Sequence, residues 1–341
     1  MKAVRFHEHG GPDVLRYEDA PDPPIAPGRA LVRVRACALN HLDLWQRRGI
    51  PRVRIPLPHI PGSDVAGEIV DPGGDASLRT GQRVLLHPGL NCGTCKSCRD
   101  GRDSLCESYD VLGFKSDGGY AELVSVPAGN VVPIPPHVDF VQAAAFPLTF
   151  LTAWHMLVTL ARVRDGDDVL VLAGGSGVGQ AAIQIARLHG ARVFATAAPA
   201  KLDRTRALGA DHVFDHYSSD FGQDVRGRTD GRGVDIVIEH VGEATWDRSM
   251  RALANGGRLV TCGATTGHRA NLDLRHLFAR QLSLLGSYMG TRAELLEAVP
   301  HFFAGRLKPM LDEVVPLSDA RRAHERLEAK EQFGKIVLLA S

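Results

Sequence analysis

The sequence predicts an α/β protein in which a mostly β domain accompanies a doubly wound parallel sheet. Three observations predict it. At 341 residues the chain is about twice a typical single-domain length. From Met1 to about Pro136 it is rich in proline, glycine and short β-branched runs, the texture of short strands joined by turns. From Asp165 onward, continuous apolar runs alternate with helical patterns, as buried parallel strands and their crossover helices do.

In the first stretch, Ala30–Ala36, Val65–Val70, Arg83–Leu86 and Ala121–Val126 read as strands, and PIPPH (Pro133–His137) as a seam. Asp168–Ala173 (DVLVLA) reads as a buried strand. Gln180–His189 follows as a helix, with Ala181, Ala182, Ile185, Ala186 and Leu188 near helical spacing and Gly190 as its stop. Further strands are expected at Ala191–Ala197, Val234–Glu239, Arg258–Cys262 and Leu282–Leu285. A helix (Arg292–Ala304) and a last strand (Lys335–Leu339) form a segment too short for a domain, so it is expected to return and complete the first one. The expected divisions are residues 1–147, 148–287 and 288–341.

Forty basic side chains balance thirty-nine acidic ones, and a net charge of +1 argues against nucleic acid as the main partner. The opening run MKAVRFHEHGGPDVL lacks the apolar core of a secretory signal. Val141–Ala161 is long enough to span a membrane, but it contains Gln142, Pro147, Thr149, Thr152 and His155 and is expected to be buried protein interior. Six cysteines without a signal point to a reducing compartment, the cytoplasm.

Cys92, Cys95, Cys98 and Cys106 lie in NCGTCKSCRDGRDSLC. Two C-x2-C steps bring three thiolates to one ion and the fourth closes a tetrahedron. Four thiolates saturate zinc and leave no position for substrate, so the site is structural. Free thiols, disulfides or an iron–sulfur cluster are the alternatives. Cys37 and Cys262 lie in apparent strands and read as core.

The run Gly174, Gly175, Ser176, Gly177, Val178, Gly179 joins an apolar strand to a helix, the context a dinucleotide fingerprint requires. Such a turn brings backbone N–H groups and a helix N-terminus to a pyrophosphate. In G-x-G-x-x-G register the middle glycine is replaced by Ser176. The second strand ends at Thr196 and Ala197, where an NAD enzyme usually offers a carboxylate to the ribose. Its loss, with Lys201 following, favours NADPH over NADH; the alternative is that Lys201 is a solvated helix-start residue.

These features resemble the medium-chain dehydrogenase/reductase superfamily, over essentially the whole chain. The fingerprint, KLDRTRALGAD (Lys201–Asp211) and GSYMG (Gly286–Gly290) are similar to family marks. The resemblance implies a GroES-like β domain formed by both ends of the chain, carrying the structural zinc lobe, and a Rossmann domain between them. Zinc alcohol dehydrogenases of that superfamily carry catalytic ligands in Cys-His-x-Asp and Gly-His-Glu motifs. Here these read Asn40-His41-Leu42-Asp43 and Gly62-Ser63-Asp64, and Ala143–Trp154 has no cysteine. ALNHLDLW and PGSDVAG look instead like the quinone oxidoreductase branch, which includes zeta-crystallin and works without metal.

That resemblance implies a pocket lined by Asn40, Asp43, Trp45, Ser63 and Asp64, with Thr152 at the nicotinamide end and Tyr217 beside the adenine phosphate. Asp43 and Asp64 as helix caps or turn formers, and Trp45 as core, are the alternatives. His41 and His59 are candidates to rebuild a second metal site with either acid. The expected activity is NADPH-dependent reduction of a quinone or an activated enone or carbonyl, by a homodimer or homotetramer with one structural zinc and no catalytic zinc. The competing readings are a zinc-dependent alcohol or aldehyde dehydrogenase with unorthodox ligands, and an NADPH-binding protein without useful turnover.

Overall fold

A computed structural model describes residues 1–340. They form two compact units, one of Met1–Leu148 with the segment from Thr291 onward, the other of Thr149–Gly290. The run Pro133–His137 therefore lies inside the first unit rather than at a seam.

The first unit contains the strands β1 (Lys2–Arg5), β2 (Arg16–Asp19), β3 (Arg29–Ala38), β4 (Asp64–Asp71), β5 (Arg83–Leu86), β6 (Gly89–Leu90), β7 (Asp110–Val111), β8 (Leu123–Pro127) and β9 (Val131–Pro133), and later β16 (Leu311–Pro316) and β17 (Lys335–Leu339). Its helices are α1 (His41–Arg48), α2 (Lys96–Arg99), α3 (Phe140–Ala145), α10 (Arg292–Phe303) and α11 (Ala320–Glu328). The main sheet runs β16-β17-β3-β4-β5-β9, with β8 also paired to β3. β3 buries Val32, Val34 and Ala36 and turns Arg33 outward, the period-2 signature of a half-covered strand. Both chain ends build this sheet. β17 lies antiparallel to β3, with Val337 opposite Ala38, and Leu39 N–H donates to the Ile336 carbonyl at 2.9 Å. That pairing brings Lys335 to the end of β3, beside the start of α1.

The second unit contains β10 (Asp168–Val171), β11 (Arg192–Ala197), β12 (His212–Asp215), β13 (Val234–Glu239), β14 (Leu253–Thr261) and β15 (Ser283–Gly286). Every pairing is parallel, in the order β12-β11-β10-β13-β14-β15. Leu170, Phe194, Val237 and Leu259 share its buried core. The strand order reverses between β10 and β13, and in such sheets ligands bind outside the carboxyl ends at that point. Among the helices are α5 (Gly177–Leu188), α6 (Leu202–Ala207), α7 (Phe221–Gly227), α8 (Trp246–Ala252) and α9 (Leu274–Ala279).

The apolar stretch Val141–Ala161 is divided among the end of α3, α4 (Pro147–Trp154) and a π-helical turn over His155–Leu160. Pro147 opens α4, where its missing N–H removes no intrahelical bond. No helix among the described residues is long and apolar enough to cross a membrane.

Candidate functional site

The cysteine loop gathers its sulfurs. The Sγ atoms of Cys92, Cys95, Cys98 and Cys106 all lie within 4.8 Å of one another. Cys92 is 3.9 Å from Cys98, Cys95 is 3.6 Å from Cys98 and Cys106 is 3.5 Å from Cys92. A tetrahedron with Zn–S of about 2.3 Å has S···S edges of roughly 3.8 Å, so the four fit one zinc. Gly93, at φ +69°, lets the loop curl between the first two ligands. Backbone N–H groups of Thr94 and Cys95 donate to Cys92 Sγ at 3.4 and 3.3 Å. These bonds pull the Cys92 thiol down to about 5. Desolvation among neighbouring sulfurs pushes Cys98 up to about 12. A dication bound at the centre is what permits all four to ionise.

A second polar cluster lies where β3 ends and β4 begins. Gly62, at φ +104°, makes the approach to β4; a Cβ there would meet the Tyr120 ring at 2.4 Å and Cys37 Sγ at 2.8 Å. The next residues, Ser63 and Asp64, are fully buried. Asp64 Oδ1 accepts from Leu148 N–H at 2.7 Å, and Oδ2 accepts from Asn40 Nδ2 at 3.0 Å and from Lys335 Nζ at 2.9 Å. Lys335 Nζ also donates to Asn40 Oδ1 at 2.7 Å. Lysine, amide and carboxylate thus close a triangle, with Lys335 only 2% exposed.

Sequence reasoning missed Lys335. Its strand KIVLL reads as plain core, and 295 residues separate it from Asn40.

Asp43, at the start of α1, takes Asn40 N–H on Oδ2 at 2.8 Å and the Tyr120 hydroxyl on the same oxygen at 3.1 Å. Behind it runs a chain of fixed polarity. Arg47 Nη1, which can only donate, lies 3.0 Å from His324 Nδ1. The His324 proton is therefore on Nε2, which gives it to the Tyr120 oxygen at 3.2 Å, leaving the Tyr120 hydrogen for Asp43. Arg47 ends on Glu328. Burial, with Arg47 alongside, drives His324 down to about 3, so it stays neutral. Burial pushes Asp43 up to about 6. Near neutral pH a fraction of Asp43 is therefore protonated and able to donate. Because Oδ2 already receives two hydrogens, that proton sits on Oδ1, which is buried without a partner. Ser63 Oγ is likewise buried and unpartnered. Unsatisfied buried atoms are rare and ask for a ligand or a functional reason.

The remaining candidates are dispersed. Trp45 lies on α1, 37% exposed. His59 bonds the Gly113 carbonyl at 3.0 Å and stacks edge-on against Phe6. Among the described residues, the four cysteines are the only group of three or more His, Cys, Asp or Glu placed to hold one ion.

In the second unit, Ala173 at φ +47° turns the chain out of β10. A Cβ on Gly179 would lie 2.3 Å from the Ala173 carbonyl, which fixes glycine there. Ser176 caps α5: its Oγ accepts from Gly179 N–H at 2.9 Å. The side chain folds back into the turn, which is how serine serves in place of the middle glycine. Gly174, Gly175, Gly177 and Val178 complete the turn into α5. Thr196, fully buried, turns its hydroxyl to Ala173 N–H at 3.0 Å. Ala197 pairs with Asp215, so Tyr217, 71% exposed, follows closely on the strand beside it. Lys201 immediately precedes α6, and Thr152 is buried in α4.

Two family models match: the alcohol dehydrogenase GroES-like domain over residues 26–136 and the zinc-binding dehydrogenase domain over residues 177–304. An NAD-dependent alcohol dehydrogenase of Sulfolobus acidocaldarius is 33% identical, with 99% of each chain covered. A quinone oxidoreductase of Homo sapiens is 30% identical, covering 99% of this chain and 98% of its own. A crystal structure of an NAD-dependent alcohol dehydrogenase superposes at a TM-score of 0.97 with 45% identity, over 100% of both chains.

Proposed function

The chain belongs to the medium-chain dehydrogenase/reductase superfamily and is an NAD(P)-dependent oxidoreductase with a GroES-like and a Rossmann domain; from that premise we propose that it reduces a quinone or an activated enone or carbonyl with NADPH. Zinc serves the cysteine lobe and takes no part in the chemistry.

The observation that carries this reading is the buried Lys335 ammonium between Asn40 Oδ1 and Asp64 Oδ2. In zinc alcohol dehydrogenases, the positions of Asn40 and Ser63 are the ones expected to hold a metal. Here an amide stands at one of them with its oxygen engaged by a fixed monovalent cation, and a hydroxyl stands at the other. An alcohol without a Lewis acid stays far from ionised at neutral pH, which disfavours its oxidation. Reduction of a quinone or enone needs no such ionisation.

The bound nicotinamide supplies the hydride, and this chain's residues orient the acceptor and manage the proton. One Asn40 amide hydrogen goes to Asp64; for the other, Nδ2 lies 3.5 Å from the Ala38 carbonyl oxygen, too long for a good bond. That second hydrogen is left to meet the oxygen that becomes negative as hydride arrives. The protonated fraction of Asp43, with its proton on Oδ1, serves as the acid that quenches it. Ser63 Oγ is a further donor to the acceptor, and Trp45 and Asp64 line the pocket.

NADPH preference rests on Ala197, which presents no carboxylate to a 2′-phosphate, and on Lys201 and Tyr217 as its contacts. Association into a homodimer or homotetramer fits β15, which ends its sheet, and the exposed Leu274, Phe278 and Tyr288 near it in sequence, at 64%, 69% and 56%.

Steady-state kinetics with ortho-quinones, enones, aldehydes and primary alcohols, before and after chelator treatment, test the reading. Quinone or enone reduction is expected to lead in kcat/KM and to survive chelation. Chelator-sensitive alcohol oxidation that exceeds it would favour a catalytic metal held by unorthodox ligands. Tight NADPH binding without consumption by any acceptor would leave a binding protein.

A further inference from the structure

The sequence reading ends a strand at Glu239 and gives His240 no role. The structure puts His240 at the topological switch point. It follows β13 directly, while Ser176 follows β10, and these two strands are neighbours where the sheet order reverses. His240 Nε2 lies 3.0 Å from Ser176 Oγ, so one hydrogen bond joins the two loops on either side of the crevice.

The backbone around His240 is held firmly. Glu239, fully buried, accepts from Val241 N–H at 2.7 Å and Gly242 N–H at 3.1 Å on Oε1. The Thr245 and Ser249 hydroxyls complete its bonding on Oε2 at 2.9 and 2.6 Å. Gly263, two residues past β14, lies against the residue: a Cβ there would come within 2.9 Å of the His240 carbonyl. A carboxylate with this many donors fixes the turn, and the imidazole with it.

The ring's own bonding is incomplete. Ser176 Oγ already accepts from Gly179 N–H, so its hydrogen is available for His240 Nε2. That assignment leaves the ring proton on Nδ1. Nδ1 is buried with no partner. A buried donor left unpaired costs stability, and a histidine placed here without use would be replaced at no loss by an apolar residue.

We propose that His240 is a cofactor-binding residue, whose Nδ1–H hydrogen-bonds an acceptor oxygen of the nicotinamide dinucleotide at its pyrophosphate or nicotinamide-side ribose. Ser176 serves the same contact by setting the ring's tautomer. The inference rests on the dinucleotide reading of the glycine turn.

Fluorescence titration of the zinc-loaded protein with NADPH and with adenosine 2′,5′-bisphosphate tests it. The second probe lacks both the pyrophosphate and the nicotinamide-side ribose. His240→Leu should raise the Kd for NADPH about tenfold or more, the loss expected for a hydrogen bond to a charged or strongly polar group. The Kd for the bisphosphate should change less than twofold, and the melting temperature of the cofactor-free variant should not fall. His240→Asn keeps an amide near the Nδ1 position and His240→Gln keeps one near Nε2, so the asparagine variant should bind NADPH more tightly than the glutamine variant. NADH and AMP are titrated beside them, so that a wrong reading of cofactor preference shows in the wild type and not in the variants. Equal weakening of both probes, or no weakening of NADPH or NADH by His240→Leu, overturns the proposal.

Discussion

Replacing Lys335 with methionine removes the cation paired with Asp64 and leaves a fully buried carboxylate. Breaking a buried pair from one side costs about 3–5 kcal/mol. Asp64 keeps two donors, Leu148 N–H at 2.7 Å and Asn40 Nδ2 at 3.0 Å, which places the loss near the lower end, about 3 kcal/mol. For a unit of about 200 residues, a fall of roughly 2–4 °C per kcal/mol gives about 6–12 °C in Tm. Asp64→Asn strands the ammonium in turn and should cost a similar amount. In the double variant neither charge remains, so its loss should be close to that of one single variant rather than the sum of two. Thermal or urea unfolding of the four proteins, zinc-loaded and cofactor-free, gives the coupling directly. We expect a coupling energy of at least about 1 kcal/mol, within the range for residues in contact. Additive single effects, or a Lys335→Met variant as stable as the parent, would refute the reasoning.

Three further outcomes are expected. Cys95→Ser should reduce bound zinc from one per chain and lower Tm, while kcat of the surviving folded protein changes less than about threefold, because metal binding at such sites is coupled to folding; elemental analysis beside kinetics checks this, and a proportionate loss of kcat contradicts it. Ala197→Asp should weaken NADPH binding about tenfold or more and shift preference toward NADH, as fluorescence titration at fixed salt will read; a wild type that prefers NADH ends the argument. Stability should fall with acid. His324 is held down to about 3, and His87 and His240 to about 4, chiefly by burial. Their contribution is fully present above the usual 6.5 and is lost as pH falls. Asp43, raised to about 6, works in the opposite sense: its contribution is present below its usual 3.8 and is lost as pH rises through 6. Between pH 6 and 4 these three imidazoles outweigh the one opposing carboxyl, so their sum lowers stability as pH falls. Urea unfolding at pH 7 and pH 5 with equal midpoints would contradict it.

What was legible in the sequence is what lies close together along it. The four cysteines span fifteen residues and the glycine turn six, so spacing alone announced both. The parallel sheet was legible because strands buried on both faces read as unbroken apolar runs. The polar cluster was legible only in part. Asn40, Asp43, Ser63 and Asp64 stood out by what they replace, but their partners did not. Lys335 and His324 arrive with the returning C-terminal segment, and neither residue announces a partner 295 or 204 positions away. Tyr120 resembles an ordinary core aromatic until its hydroxyl is seen on Asp43. His240 was passed over for a related reason: its significance comes from the neighbouring strand, and strand order is not written in local pattern. Val141–Ala161 read as one stretch because its apolar content is continuous, while Pro147 sets the start of a separate helix.

A cofactor-bound crystal structure with anomalous scattering recorded at the zinc edge tests the central claim most directly. The account predicts one zinc peak per chain, at Cys92, Cys95, Cys98 and Cys106, with Lys335 Nζ between Asn40 and Asp64 and NADPH on the turn between β10 and α5. A second zinc peak within bonding distance of Asn40, Ser63 or Asp64 would contradict it, and with it the assignment of the chemistry to a metal-independent reduction.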